Sequence, residues 1–146
     1  MTYTPWKTDK WFTSPWNFLD EVKEGQNFAK NIKLHDVSLR DGEQQAGLIF
    51  NKDQKIRIAE SLAEIGVQRI EAGMPAVSKQ DEEAIKEIVK RCENTNTEVF
   101  AFARCMESDV KLAAECGVKG IVVEIPSSEH IIKYAYKWPL EKAIEA

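Results

Sequence analysis

The stretch of sequence that decides the fold is His35-Asp36-Val37-Ser38-Leu39-Arg40-Asp41-Gly42-Glu43-Gln44. Residues 32–39 have the pattern of a β-strand, and the residues after them bring together a guanidinium, two carboxylates, an amide and a glycine. Polar side chains grouped directly after a strand are typical of a functional loop in a parallel α/β barrel. From composition alone, a solvated connection is an equally good interpretation of this loop.

Downstream of this stretch, helical and strand patterns alternate. Asn51 and Gln54 have the spacing of a capping box, Gly66 suits the end of the helix that they begin, and Ser78 predicts the start of a second helix. The predicted strands are residues 32–39, 67–72, 98–103 and 118–125, and further helices are predicted at residues 107–116 and 139–146. This alternation predicts an α/β fold with a parallel sheet and right-handed crossovers.

An internal repeat favours a barrel over an open sheet. Residues 63–70 and 114–121 each combine a helix end, a glycine and a strand start, two βα units apart. Repetition of that junction predicts a parallel (βα)₄ unit, the first half of a TIM (β/α)₈ barrel. Residues 140–146 are helical in pattern but lack a C-cap, and a half-barrel leaves two strand edges open. We therefore expect a truncated chain, or a subunit that another chain completes.

The N-terminal residues 1–31 are predicted to form an aromatic-rich arm, separate from the barrel part at residues 32–146. The arm lacks a regular period, apart from a short helix predicted near residues 18–22. Trp6, Trp11 and Trp16 carry much apolar area, so we expect them to be largely buried. Their partner is either the rest of the chain or a neighbouring subunit.

Bulk properties exclude several classes of protein. The 146 residues are 43% hydrophobic and 30% charged, which is typical of a globular domain rather than a disordered chain. A net charge of −4 argues against a nucleic-acid-binding surface. No apolar run approaches the roughly 20 residues of a membrane span, and no secretory signal pattern is seen. The three cysteines form no Cys-x-x-Cys pair, so we expect buried, reduced thiols and a cytoplasmic location.

Residues 35–44 resemble the strand-one signature of the metal-dependent Claisen-condensing and -cleaving family. That family contains isopropylmalate, homocitrate and citramalate synthases and 3-hydroxy-3-methylglutaryl-CoA lyase. Residues 70–75 resemble the end of its second strand, and residues 101–104 and 124–130 resemble, less sharply, the ends of strands three and four. The resemblance covers residues 32–146 and implies the N-terminal half of a TIM-barrel catalytic domain.

The resemblance also implies a role for each site residue. Asp41 would be a ligand of a divalent metal, Mg²⁺, Mn²⁺ or Zn²⁺. Arg40 would stabilise an enolate or oxyanion, and Glu71 would orient a catalytic partner or shape the pocket. Gln44 would hydrogen-bond substrate or a metal-bound group. Arg104 would pair with a substrate carboxylate, and an ion pair between barrel strands is the alternative for it.

The two histidines are assigned to structural positions rather than to the metal. Side chains alternate along a strand, so His35 is expected on the face opposite Arg40, packed between strand and helix. His130 is expected at the surface. The family takes two further metal ligands from a His-x-His segment, which this sequence lacks. We therefore expect the chain alone to hold the ion weakly and to be inactive.

The function that the resemblance implies is acyl transfer in amino-acid biosynthesis. Acetyl-CoA, as co-substrate, would be deprotonated to an enolate that adds to the ketone of a 2-oxo acid, with the metal as Lewis acid. Two alternatives stay open: a carbon–carbon lyase that runs the reverse reaction, and a non-catalytic half-barrel that serves as an interaction module. The expected protein partner is a second copy of the chain or a complementing half of the barrel.

Overall fold

The computed structural model describes residues 4–146, which fall into two compact units. The first unit ends at Ile32 and the second is Lys33–Ala146. The first unit contains a 3₁₀ turn, Pro15–Phe18, and one short helix, α1, Asp20–Lys23. Ser14 caps the 3₁₀ turn by accepting a hydrogen bond from the Trp16 amide at 3.3 Å. The short helix lies close to its predicted position.

The prediction that the arm tryptophans are largely buried is wrong. Trp11 is 50% exposed and Trp16 is 66% exposed, whereas Trp6 is partly buried and its ring centroid lies 5.9 Å from that of Phe18. The physical reason is the length of the local elements. The 3₁₀ turn and α1 have four residues each and bury none of them, so they offer no continuous apolar face.

The second unit is a four-stranded parallel sheet with helices between the strands. The strands are β1 (His35–Asp36), β2 (Arg69–Glu71), β3 (Glu98–Arg104) and β4 (Gly120–Glu124), and their order in the sheet is β1-β2-β3-β4. The helices are α2 (Lys52–Glu64), α3 (Lys79–Cys92), α4 (Glu107–Glu115), α5 (Glu129–Tyr134) and α6 (Leu140–Glu145). Sequential neighbours that pair in parallel form the (βα)₄ arrangement of a partial TIM barrel, as predicted.

Local sequence signals place the ends of the helices. Asn51 and Gln54 form both hydrogen bonds of the capping box of α2, each at 2.9 Å. Ser78 accepts from the Asp81 amide at the start of α3 at 3.1 Å. Gly66 has φ +83°, a left-handed conformation that terminates α2 at little cost because glycine has no Cβ. These boundaries confirm the predicted capping residues.

The core lies between the sheet and the apolar faces of α2 and α3. Its largest fully buried side chains are Leu39, Ile70, Ile85 and Ile88. Each such side chain contributes about 1.5–3 kcal/mol through removal of apolar area from water. Cys92 and Cys116 are buried as expected, whereas Cys105 is only partly buried, and all three are free thiols.

Two expectations about the elements need correction. The first strand is much shorter than residues 32–39, and a helix that was not predicted, α5, follows β4. The strand ends early because the Asp36 carboxylate accepts hydrogen bonds from the Ser38 amide at 2.9 Å and hydroxyl at 3.2 Å. A side chain that bonds nearby backbone in this way competes with strand pairing. Within residues 4–146, every helix is too short or too polar to cross a lipid bilayer.

Candidate active site

Glu71, at the C-terminal end of β2, is the centre of the candidate site. Its side chain is 3% exposed, and its two carboxylate oxygens have different partners. Arg40 Nε donates to Oε1 at 2.5 Å, and His35 Nε2 lies 3.2 Å from Oε2. A buried carboxylate is costly unless it is paired and hydrogen-bonded, so these two contacts make its burial tolerable.

The turn after β1 brings Arg40 to Glu71. The Val37 carbonyl accepts hydrogen bonds from the Arg40 and Gly42 amides, both at 3.1 Å, and a 3₁₀ turn, Gly42–Gln44, follows. This geometry corrects the prediction for His35. Side chains alternate between the two faces of a strand only as far as Asp36, where β1 ends. Arg40 is therefore not held on the face opposite His35, and both side chains contact the Glu71 carboxylate. The His35 ring also packs edge-on against Phe100, with centroids 5.4 Å apart.

Arg40 links the buried carboxylate to an exposed one. Its Nη1 lies 3.1 Å from Asp41 Oδ1, and its guanidinium carbon stands 4.8 Å from the centre of the Phe102 ring. The Arg40 side chain is only 19% exposed, whereas the Asp41 side chain is 63% exposed. The guanidinium is therefore held in a partly dry setting, where its charge acts more strongly than in water. The Asp41 carboxylate faces solvent and is free to meet a ligand.

The donor set fits a metal only in part. Asp41 offers a hard carboxylate oxygen of the kind that Mg²⁺ or Mn²⁺ takes. Across residues 4–146, no three His, Cys, Asp or Glu side chains come together in a group that could hold a metal ion. Asp41 thus fits as one oxygen ligand, and the described part of the chain does not form a complete centre.

A cleft of about 420 Å³ lies beside the turn. Arg40 and Gln44 line it from the turn, and Met74 and Val77 line it from the segment between β2 and α3. The cleft brings the predicted substrate-binding residue Gln44 next to the predicted catalytic residue Arg40. Asp41 and Arg104 are not among the residues that line it.

Arg104, at the end of β3, is engaged by a helix residue. Its Nε and Nη2 donate to the two carboxylate oxygens of Asp109, at 2.7 and 3.1 Å. The hydrogen bond from Arg104 holds the pKa of the Asp109 carboxyl below its ordinary value, against the opposing effect of burial. The ion pair foreseen for Arg104 therefore runs to α4, not to another barrel strand. The Arg104 side chain is still 47% exposed and can be reached by a ligand.

The sequence interpretation missed a buried ion cluster around Lys55. The Lys55 ammonium, on a side chain that is 3% exposed, lies 2.6 Å from Glu43 Oε2 and contacts Asp81 Oδ1. A signal for it was present, because Lys55 stands four residues before Ala59 and so falls on the buried face of α2. A lysine at such a position requires carboxylate partners. His130, by contrast, is exposed as predicted.

In comparisons with known proteins, the family match covers nearly the same residues as the second compact unit. Residues 31–146 match the family described as HMGL-like. Homocitrate synthase AksA of Methanothermobacter thermautotrophicus is 34% identical over 135 residues, which cover 92% of this chain and 33% of that protein. 2-Isopropylmalate synthase 2 of Caldanaerobacter subterraneus is 36% identical over 121 residues, which cover 80% of this chain and 31% of that protein.

A third relative gives a similar alignment. Homocitrate synthase AksA of Methanocaldococcus jannaschii is 40% identical over 107 residues, or 73% of this chain and 26% of that protein. The chain therefore spans about a third or less of the length of these curated relatives.

Proposed function

Because the chain belongs to the HMGL-like family, we propose that the protein from which it comes is an acyltransferase that condenses acetyl-CoA with a 2-oxo acid. Relatives named as 2-isopropylmalate and homocitrate synthases support this class of reaction. The observation that carries the proposal is the constellation of Arg40 and Asp41, in the turn after β1, with Glu71 at the end of the adjacent strand β2. A TIM barrel places its chemistry at that end of its strands.

Arg40 is proposed to stabilise the enolate oxygen of the acetyl group. A guanidinium has five N–H donors, and the contacts to Glu71 and Asp41 use only two of its nitrogens. The remaining donors of this fixed, shielded cation can face the negative charge that develops on the thioester oxygen. Because Glu71 already holds the group in place, little reorganisation is needed when that charge forms.

Glu71 is proposed to act in the catalytic machinery by fixing Arg40 and by holding His35 close to the same carboxylate. Gln44 is proposed to hydrogen-bond the substrate from the wall of the cleft. Arg104 is proposed to meet a substrate carboxylate with the part of its guanidinium that Asp109 leaves free. In the proposed reaction, the acetyl methyl carbon loses a proton and bonds to the ketone carbon of the 2-oxo acid, whose C=O bond opens to a hydroxyl group as the oxygen takes up a proton. Attack of water on the thioester carbonyl then releases CoA as the thiol and leaves a carboxylate.

Asp41 is proposed to supply one oxygen ligand to a divalent cation. When bound, such a cation would polarise the oxygens of the 2-oxo acid as a Lewis acid. A reducing, cytoplasmic location is proposed from the three free thiols.

The test is an assay of the longest reading frame that contains the chain. Release of the CoA thiol from acetyl-CoA is measured with a panel of 2-oxo acids, with and without a metal chelator. The proposal expects thiol release that depends on one of the 2-oxo acids and is lost in chelator. Cleavage of a hydroxyacyl-CoA without any condensation would overturn it in favour of the lyase. Absence of both activities in a folded, metal-supplemented protein would overturn the enzyme class.

A further inference from the structure

The Glu43, Lys55 and Asp81 side chains form an ion cluster that joins three segments of the chain. Glu43 belongs to the 3₁₀ turn after β1, Lys55 to the first turns of α2, and Asp81 to the first turn of α3. The second oxygen of Glu43 accepts the Phe50 amide at 3.0 Å. The second oxygen of Asp81 accepts the Ser78 hydroxyl at 2.6 Å. Every carboxylate oxygen in the cluster therefore has a partner.

The charges in this cluster depend on one another. Burial of the Lys55 ammonium acts to lower its pKa, but the hydrogen bonds to Asp81 and Glu43, together with the attraction of their charges, outweigh burial and raise the pKa above the ordinary value. Lys55 is therefore charged across the physiological pH range. Replacement of one partner in such a buried group leaves the others uncompensated, so the cluster is held together or lost as a unit.

The position of Glu43 connects this cluster to the candidate active site. Glu43 stands in the same short turn as Asp41 and Gln44. Two backbone hydrogen bonds, Gly42 N to Val37 O and Gln44 N to Asp41 O, both at 3.1 Å, also fix this turn, together with the contact of Arg40 with Glu71. Lys55 and Arg40 also line the same cleft. A displacement of Glu43 would move the backbone that presents Arg40 and Asp41.

We propose that Lys55 is a positioning residue: by binding Glu43 and Asp81 together, it locks the Arg40–Gln44 turn against α2 and α3 in the geometry that the reaction needs. This inference rests on the proposed function for its catalytic consequence, though not for the locking itself. Lys55 acts through Glu43 and touches no reacting atom. A fixed turn matters because small displacements of catalytic groups cost about 10²-fold in rate.

The experiment compares Lys55→Met and Glu43→Gln with a matched control, Arg91→Met, in the longest reading frame that contains the chain. Arg91 also joins α3 to α2, through an ion pair with Glu60 at 3.1 Å, but it lies far from the turn in sequence and does not line the cleft. Hydrogen exchange of the Gly42, Gln44 and Phe50 amides is followed at urea concentrations that give all variants the same free energy of unfolding. Glu43→Gln keeps the size of the side chain, so hydrogen exchange can be measured in this variant even if Lys55→Met does not fold.

The expected result is exchange at these amides about tenfold faster, or more, in the cluster variants than in Arg91→Met, equivalent to about 1.4 kcal/mol of local stability. If the wild-type protein condenses acetyl-CoA with a 2-oxo acid, kcat of the cluster variants should fall by about 10²-fold with a smaller change in KM. Equal exchange in all variants would overturn the locking, and unchanged kcat with faster exchange would overturn the catalytic role. A wild-type protein without condensing activity would overturn the proposed function, while the exchange result still decides the locking.

Discussion

At the scale of single residues, the buried Glu71 carboxylate determines how the candidate site responds to substitution. In the proposed reaction, loss of Arg40 has two separate effects: the developing enolate loses its cation, and the buried Glu71 carboxylate loses its guanidinium partner. The first effect belongs to catalysis and the second to folding. A single substitution of Arg40 changes catalysis and stability together, whereas a double substitution of Arg40 and Glu71 separates the two effects.

If the proposed function is correct, Arg40→Ala is predicted to slow turnover, in the longest reading frame that contains the chain, by about 10²–10³-fold, the usual effect of removing one oxyanion-stabilising group. It is also predicted to lower the free energy of unfolding by about 3–5 kcal/mol, because the buried Glu71 carboxylate loses its guanidinium partner. Adding Glu71→Gln should restore much of the stability but none of the turnover. Urea denaturation and steady-state kinetics measure the two effects, and recovery of turnover in the double variant would contradict the role given to Arg40.

Asp41→Asn is predicted to act on the metal and hardly at all on folding. The Asp41 side chain is 63% exposed, so its ion pair with Arg40 contributes about 1 kcal/mol or less to stability. An amide oxygen lacks the charge that holds a hard cation. The concentration of Mg²⁺ or Mn²⁺ that gives half-maximal activity should rise, while the urea midpoint changes little. An unchanged metal requirement would remove Asp41 from the ligand set.

The Arg104–Asp109 pair makes a pH-dependent contribution to stability. The folded-state pKa of Asp109 is lowered, chiefly by the hydrogen bond from Arg104, so the contribution is complete above the unfolded pKa of about 3.9 and is lost as pH falls through the folded value. Asp109→Asn should therefore destabilise the protein at pH 7, by about 1 kcal/mol because Arg104 is half exposed. The difference from wild type should shrink below pH 4. Glu107→Gln, on an exposed residue of the same helix turn, is the control that should show almost no difference.

At the scale of secondary-structure elements, strand one shows what sequence can and cannot predict. The alternation of strands and helices was predictable because apolar periods, Asn51, Ser78 and Gly66 are local signals. The early end of β1 was not, since it depends on the Asp36 carboxylate binding the Ser38 amide rather than solvent. Because this hydrogen bond competes with strand pairing, the backbone turns after Asp36, and His35 and Arg40 both contact the Glu71 carboxylate.

The site itself was predictable to the extent that it lies in the motif. Arg40, Asp41 and Glu71 were named from the sequence, and the structure brings them together through the two contacts of Arg40. The role of Lys55 depends on Asp81, a residue of the next helix, and a contact between distant segments leaves no local pattern. The only sequence signal for this contact was a charged residue at a position on the buried face of a helix.

Pairing of β3 with β4 depends on a glycine opposite an aromatic ring. Gly120 is the register partner of Phe100, and a Cβ on Gly120 would lie 2.3 Å from Phe100 Cε1. Gly120→Ala is therefore predicted to destabilise the protein by about 1–3 kcal/mol through overpacking. Phe100→Leu, added to Gly120→Ala, should recover part of the loss by making room. Thermal denaturation of the three variants tests this, and a neutral Gly120→Ala would show that the ring shifts freely.

At the scale of the whole molecule, the sheet has two open edges. Within residues 4–146, β1 and β4 each pair with one strand only, and Val123 of β4 is 48% exposed. Unpaired strand edges with apolar side chains promote association with another chain, because they carry both free backbone groups and unburied apolar area. The exposed Trp11 and Trp16 of the arm add to the apolar area left in water.

The 146-residue chain, purified alone, is therefore predicted to self-associate at micromolar concentration. Val123→Lys should weaken that association, since a charge on an edge strand must be desolvated before a second strand can pair with it. Ile65→Lys is the matched control, because Ile65 is 77% exposed but lies at the end of α2 and not in the sheet. Sedimentation velocity measures the mass of each variant across a concentration series. A wild-type chain that is monomeric and folded throughout the series would contradict the prediction. Equal weakening by both lysines would show that exposed apolar area in general, rather than the β4 edge, holds the copies together.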